Sequence, residues 1–311
     1  MRTSYLGHIT FAVLTLVTSA AAAGGKIAPI KANTGDISLK PIDSLAEKGQ
    51  PSLINGIPVS PKAFPSSFYQ ESDVGSCTAT LVGRKVLITA AHCVGNGAKV
   101  TITLKPGSIR EGKCTHHKDY KDETGDISAD YALCLLKTVA PRDRLPETLT
   151  LGKPRLVAKA LVLLAGYGCT KRDATGGGDG VFRVGLSAVE NKLGTVDFGT
   201  EQAKLPMPNY FTTRSNPAAG GGAVICPGDS GGAVYQLLDK TSAGSVNPTG
   251  RRIVIGVNSR YGIGEDELAD GRSILSATRA KAFVEFIEAW TKKNNVKVCG
   301  VNELPSKCRK I

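Results

Sequence analysis

The 311-residue sequence predicts an all-β body closed by a C-terminal helix, on three observations. Short runs rich in Val, Ile, Leu and Thr recur from residue 79 onward, with Gly, Pro, Asp and Asn between them. One long stretch, RAKAFVEFIEAWTKK at 279–293, carries Phe283, Phe286, Ile287 and Trp290 at the spacing of a buried helical face. An apolar fraction of 41%, a charged fraction of 21% and 36 Gly suit a folded chain rather than a disordered one. Many short strands with turn signals point to a sandwich or to barrels, and composition does not choose between them.

In chain order, residues 1–23 read as a secretory signal. Arg2 supplies a positive start, residues 9–19 are mostly apolar, and Ala20–Ala23 offers small-residue cleavage sites. That run is short for a bilayer span of about 20 residues, so no membrane span is expected after its removal. Residues 24–53 hold few large apolar side chains and scattered Pro and Gly, which predicts a flexible leader. After LINGIPV at 53–59 come the strand-like runs ATLVG (79–83), KVLITA (85–90), KVTITL (99–104), YALCLL (131–136), ALVLLAGYG (160–168), GGAVYQL (231–237) and RIVIGVNS (252–259).

Export makes eight Cys, an even number, read as disulfides. No CxxC occurs and the four His do not stand at ligand intervals, so neither a metal nor another cofactor is expected. His116 and His117, in KCTHHKDYKDE, read as part of a solvated loop. The net charge is +12, and residues 1–53 hold five basic and three acidic side chains, leaving +10 on the remainder. The basic residues are scattered, with no arginine-rich run and no aromatic platform, so no specific nucleic acid is expected as a partner. TGGGDG at 175–180 is not followed by Lys-Ser/Thr and reads as a surface loop, not a phosphate cradle.

The chemistry concentrates in CPGDSGG at 226–232. Glycines on both sides of Asp229-Ser230 let other atoms approach the backbone closely and permit dihedrals that a side chain forbids. Such a setting suits a nucleophile, which needs a base and a group to orient that base. His8 falls in the signal, which leaves His92 in CTATLVGRKVLITAAHCV as the base. It follows an apolar strand directly, and Cys93 beside it can be stapled to Cys77, a cross-link worth about 3 kcal/mol in the chain-entropy account. The orienting carboxylate must be buried. Asp130 stands at the mouth of YALCLL, whereas Asp126 lies in a more polar stretch and is the weaker candidate.

In the order His92, Asp130, Ser230, with AAHC and GDSGG intact, the chain resembles a chymotrypsin-family (trypsin-like) serine protease over roughly residues 54–290. The resemblance implies two six-stranded antiparallel β-barrels with the triad between them and a C-terminal helix. It implies that Ser230 attacks the scissile carbonyl, His92 moves the proton, Asp130 holds the imidazole, and the amides of Gly228 and Ser230 form the oxyanion hole. Asp229 would pair with a new N-terminus released by proteolysis. Ile54 is the candidate terminus, 24–53 the propeptide and 291–311 a tail with a Cys-closed loop. Asn55, Ile57 and Leu53 depart from the family's activation sequence, which argues against a trypsin-like activator.

The resemblance places Val224 at the floor of the primary pocket, with Ile225 after it, and Ser259 on the pocket-lining strand. Arg260 and Tyr261 replace the family's usual Trp-Gly, and Tyr261 narrows the pocket mouth unless Gly262 takes its place. An apolar floor disfavours cationic side chains, although the acidic loop GEDELADG (264–271) offers carboxylates from the side. A small or medium apolar residue is the expected preference. Cys77–Cys93 matches the family's pairing, Cys114–Cys134 would join strands of the first barrel, and Cys299–Cys308 would close the tail loop. Cys169 and Cys226 remain as the fourth pair. This departs from the family, whose cysteine at Cys226 usually pairs with one shortly after the pocket strand.

The expected protein is thus a secreted or periplasmic, monomeric serine endopeptidase made as a zymogen. Its expected partners are protein or peptide substrates and protein inhibitors. The alternatives are a non-catalytic binding or adhesion protein on the same fold, and a restricted esterase-like hydrolase.

Overall fold

Short apolar runs cut by turn residues cannot reach helical length, and they form strands in a computed structural model of the chain. The structure describes residues 26–27, 37–41, 53–72, 75–105, 108–121, 129–152, 156–169, 180–191, 194–197, 204–216, 221–239, 247–263 and 271–308. The signal, most of the leader, Asp126, residues 175–179 and the acidic loop at 264–270 lie outside them.

The strands are β1 (Lys26–Ile27), β2 (Ile37–Pro41), β3 (Ile57–Pro58), β4 (Ser67–Ser72), β5 (Gly75–Gly83), β6 (Val86–Thr89), β7 (Lys99–Lys105), β8 (Ser108–His116) and β9 (Ala132–Leu136). The second half holds β10 (Leu161–Gly166), β11 (Arg183–Asn191), β12 (Gly194–Asp197), β13 (Lys204–Met207), β14 (Tyr210–Ser215), β15 (Ala233–Leu237), β16 (Arg252–Ile263) and β17 (Gly271–Ala277). Helices α1 (Lys281–Asn294) and α2 (Pro305–Cys308) follow.

Two barrels result, as expected. In the first, β4, β5, β6, β9, β8 and β7 are neighbours in that order, and β2 closes the ring between β4 and β7. In the second, β10, β11, β14, β17, β16 and β15 pair in a ring that returns to β10. Two segments of the stretch expected as a flexible leader are therefore strands. β2 pairs with β4 and runs parallel to β7, while β1 pairs Lys26 with Ile263 and Ile27 with Gly262.

One core unites the barrels, with Leu81, Ile88 and Leu133 of the first packed in the same cluster as Leu163, Val184 and Val257 of the second. Between them Tyr131 is fully buried, and its hydroxyl donates to Asn209 O and Ala277 O, both at 2.9 Å. Tyr131 follows Asp130 in the chain, so this tie fixes the acidic residue between the two halves. A buried Arg252–Glu147 pair, 3.0 Å from Nε to Oε1, makes a second tie, with the guanidinium 3.7 Å from the centroid of the Phe64 ring.

Helix α1 buries Phe283, Ile287 and Trp290, as its spacing predicts, and Lys292 and Lys293 in its last turn suit the negative end of the helix dipole. Asn295 ends it in the left-handed region at φ 50°. No described helix is long and apolar enough to cross a membrane.

Candidate active site

The apolar strand β6 delivers His92 into a single 3-10 turn, Ala91–Cys93, whose three residues are all buried. The Cys77–Cys93 disulfide anchors that turn to β5. Asp130 is fully buried and grips His92 twice: Oδ1 accepts the His92 amide at 3.0 Å, and Oδ2 meets ring Nδ1 at 2.8 Å. A backbone and a ring contact from one carboxylate fix both the position and the tilt of the imidazole. Burial alone would raise the Asp130 pKa. The charge and hydrogen bond of His92, a hydrogen bond from Ser259 and the charge of Arg260 overcome it and hold the carboxyl well below its ordinary range.

Ser230 sits at a sharp turn. Gly228 and Gly231 beside it take φ of 99° and 81°, in the region that favours glycine. A Cβ on Gly231 would run into the carbonyl of Thr78 and the Thr89 hydroxyl, just before the His92 turn. The Ser230 segment is thereby pressed against the strand end that leads into the His92 turn. Ser230 Oγ donates to Ser259 O at 3.4 Å, and Ser259 Oγ donates to Asp130 Oδ2 at 2.5 Å. Ser259 thus connects Ser230 to Asp130, and Asp130 in turn holds His92.

Around Ser230 the backbone is pinned. Thr78 N donates to Ser230 O at 2.7 Å, Thr78 Oγ1 to Gly228 O at 2.9 Å, and Gly231 N to Asn258 O at 2.8 Å. The Asp229 carboxylate is fully buried and accepts the amides of Gly168 at 2.8 Å and Cys226 at 2.9 Å. Burial pushes its pKa up to about 7, against the pull of those two amides and the charge of Arg183.

Ile54 is internal to the chain here. Its amide donates to Val224 O and Val224 N to Ile54 O, both at 3.1 Å. Ile54, Val224, Cys169 and Cys226 form one small buried cluster, and Cys226 N is a donor to Asp229. Val224 therefore packs beside Ile54. Ser259 is buried against Asp130, and Tyr261 is partly buried on the core of the second barrel.

All four expected disulfides are formed: Cys77–Cys93, Cys114–Cys134, Cys169–Cys226 and Cys299–Cys308. His116 and His117 differ from expectation. His116 ends β8, and His117 is buried, its Nε2 donating to Ala282 O at 3.1 Å while Nδ1 accepts the Asp119 amide at 3.1 Å. The charges of KDYKDE hid the contact with α1, which lies 165 residues away.

Residues 53–287 match the family described as Trypsin, and the chain belongs to that family. It is 26% identical over 237 residues to a trypsin-like protease of Streptomyces glaucescens, covering 73% of this chain and 80% of that protein. It is also 26% identical over 278 residues to granzyme-like protein 1 of Rattus norvegicus, covering 83% and 96%.

Proposed function

We propose that the chain is a secreted serine endopeptidase acting through a covalent acyl-enzyme. The observation that carries this is the continuous chain of contacts from Ser230 through Ser259 and Asp130 to His92. Ser230 Oγ attacks the scissile carbonyl carbon and its proton passes to His92 Nε2, while Asp130 at Nδ1 stabilises the imidazolium. The carbonyl oxygen becomes an oxyanion held by the amides of Gly228 and Ser230, each such donor being worth about 2.7–4 kcal/mol. The intermediate collapses, His92 gives its proton to the leaving amine, and the acyl group stays on Ser230. Water, deprotonated by His92, then releases the acid and restores the serine. The apolar pair Val224 and Ile225, with Tyr261 at the mouth, favours a small or medium apolar side chain before the cut bond.

The leader is removed by a cut at Leu53–Ile54, and the new ammonium pairs with Asp229. Ile54 already packs against Cys226, the donor to that carboxylate. Leu53 is fully buried with φ 65°, so the cut requires local opening of this segment.

The test is fluorophosphonate labelling of processed protein beside Ser230→Ala. Labelling that disappears in the variant supports an activated serine. No labelling of protein whose first residue is Ile54 by N-terminal sequencing overturns the proposal.

A further inference from the structure

Away from Ser230, a cavity of about 970 Å³ opens between the outer side of α1 and the segment that follows β8. Its volume falls within the roughly 300–1,000 Å³ range of small-molecule pockets. The His117 bond to Ala282 O locks the two walls together near the start of the helix, and the His117 and Phe286 rings meet edge to face at 5.2 Å. Phe286, Trp290, Ala282 and Ala289 give the helical wall an apolar face.

The rim has the opposite character. Among the described residues, Lys118, Lys121, Lys281 and Lys293 line it with Asp119 and Glu285 as the acids, and all six are exposed. Lys118 bonds Asp119 at 2.8 Å, and Lys281 lies 3.5 Å from Glu285 one helical turn on. Both rim acids are thereby engaged, and Lys121 and Lys293 make no ion pair with any described residue. An apolar wall beneath a net positive rim selects against cations and favours a molecule with one hydrocarbon side and one anionic end.

We infer that this cavity is a binding site for an amphipathic anion, a monocarboxylate whose hydrocarbon body lies on Phe286 and Trp290 and whose carboxylate meets the rim lysines. The site lies apart from the triad and does not depend on catalysis. Its aliphatic contact gains with each buried methylene, and its ionic contact weakens with salt.

Trp290 is the only tryptophan in the chain, so its emission reads the cavity directly. The purified protein is titrated with sodium dodecanoate below micelle formation, with dodecyltrimethylammonium as the cation of equal chain length. A saturable one-site change with dodecanoate, at least tenfold weaker with the cation and unaltered by Ser230→Ala, is expected. The double variant Lys121→Glu/Lys293→Glu raises the apparent Kd at least tenfold. Ala289→Phe, at an exposed position on the cavity wall, abolishes binding while thermal melting reports an intact fold. Non-saturable emission change, equal response to the cation, or unchanged Kd in both variants overturns the inference. So does sedimentation showing that the emission change tracks dissociation of a dimer, which makes the face a self-association surface.

Discussion

The hydroxyl of Ser259 lies 2.5 Å from Oδ2 of Asp130, the same oxygen that meets His92 Nδ1 at 2.8 Å. Two donors on one buried carboxylate oxygen keep Asp130 ionised and pointed at the ring. Ser259→Ala removes one charge-assisted bond, worth about 1.5–3 kcal/mol, and fluorophosphonate labelling is expected to slow by roughly ten- to a hundredfold. The same variant moves acid unfolding to higher pH. Asp130 has a depressed folded pKa, so its stabilisation is present above the ordinary carboxylate range and lost as pH falls through the folded value. Losing a donor raises that folded value, and an acid titration followed by circular dichroism reads the shift.

Asp130→Asn tests orientation separately from charge. The amide keeps the shape of the side chain but can offer His92 Nδ1 a donor in place of an acceptor, which favours the wrong tautomer. Labelling and peptide hydrolysis are both expected to fall by about 10⁴-fold. Activity within tenfold of the parent would remove Asp130 from the mechanism.

Asp229 gives a pH prediction of the opposite sign. Its folded pKa is raised from an ordinary 3.8 to about 7, so the folded state binds a proton that the unfolded state releases. Its contribution is fully present below pH 3.8 and is lost as pH rises to about 7. The uncut chain should therefore become easier to denature with urea between those limits, and Asp229→Asn should flatten that slope. Cleavage before Ile54 should flatten it too, because a new ammonium beside the carboxylate lowers its pKa. A processed protein with the same slope as the uncut one would argue against the Ile54–Asp229 pair.

How much of this was legible in the sequence depends on the range of each contact. Ser230 shows itself locally, because the glycines around it answer to backbone angles and close approach at that same turn. His92 and Asp130 show themselves by standing beside apolar strands, β6 and β9, that carry them into the interior. Ser259 reads as a pocket residue, and its bond to Asp130 spans 129 positions with no local signature. His117 was hidden by its charged neighbours, and β2 by the Pro and Gly around it. β17 is buried at every position, so it lacks the alternation that marks a half-exposed strand.

The segment after α1 is expected to be part of the first barrel's stability rather than an appendage. Val298 and Cys299 are fully buried; Cys299 N donates to Val82 O, and Cys299 O accepts from Leu149 N, both at 2.9 Å. Truncation after Asn294 removes the buried Val298 side chain and leaves the Leu149 amide without its acceptor, a change that should prevent stable folding. The double variant Cys299→Ser/Cys308→Ser is milder. It keeps those backbone bonds and opens a short loop, for which the chain-entropy account gives about 2–3 kcal/mol. Urea melts should show the double variant folded but weakened, and the truncated chain unfolded or aggregated. A truncated chain as stable as the parent would show that the barrel closes without this segment.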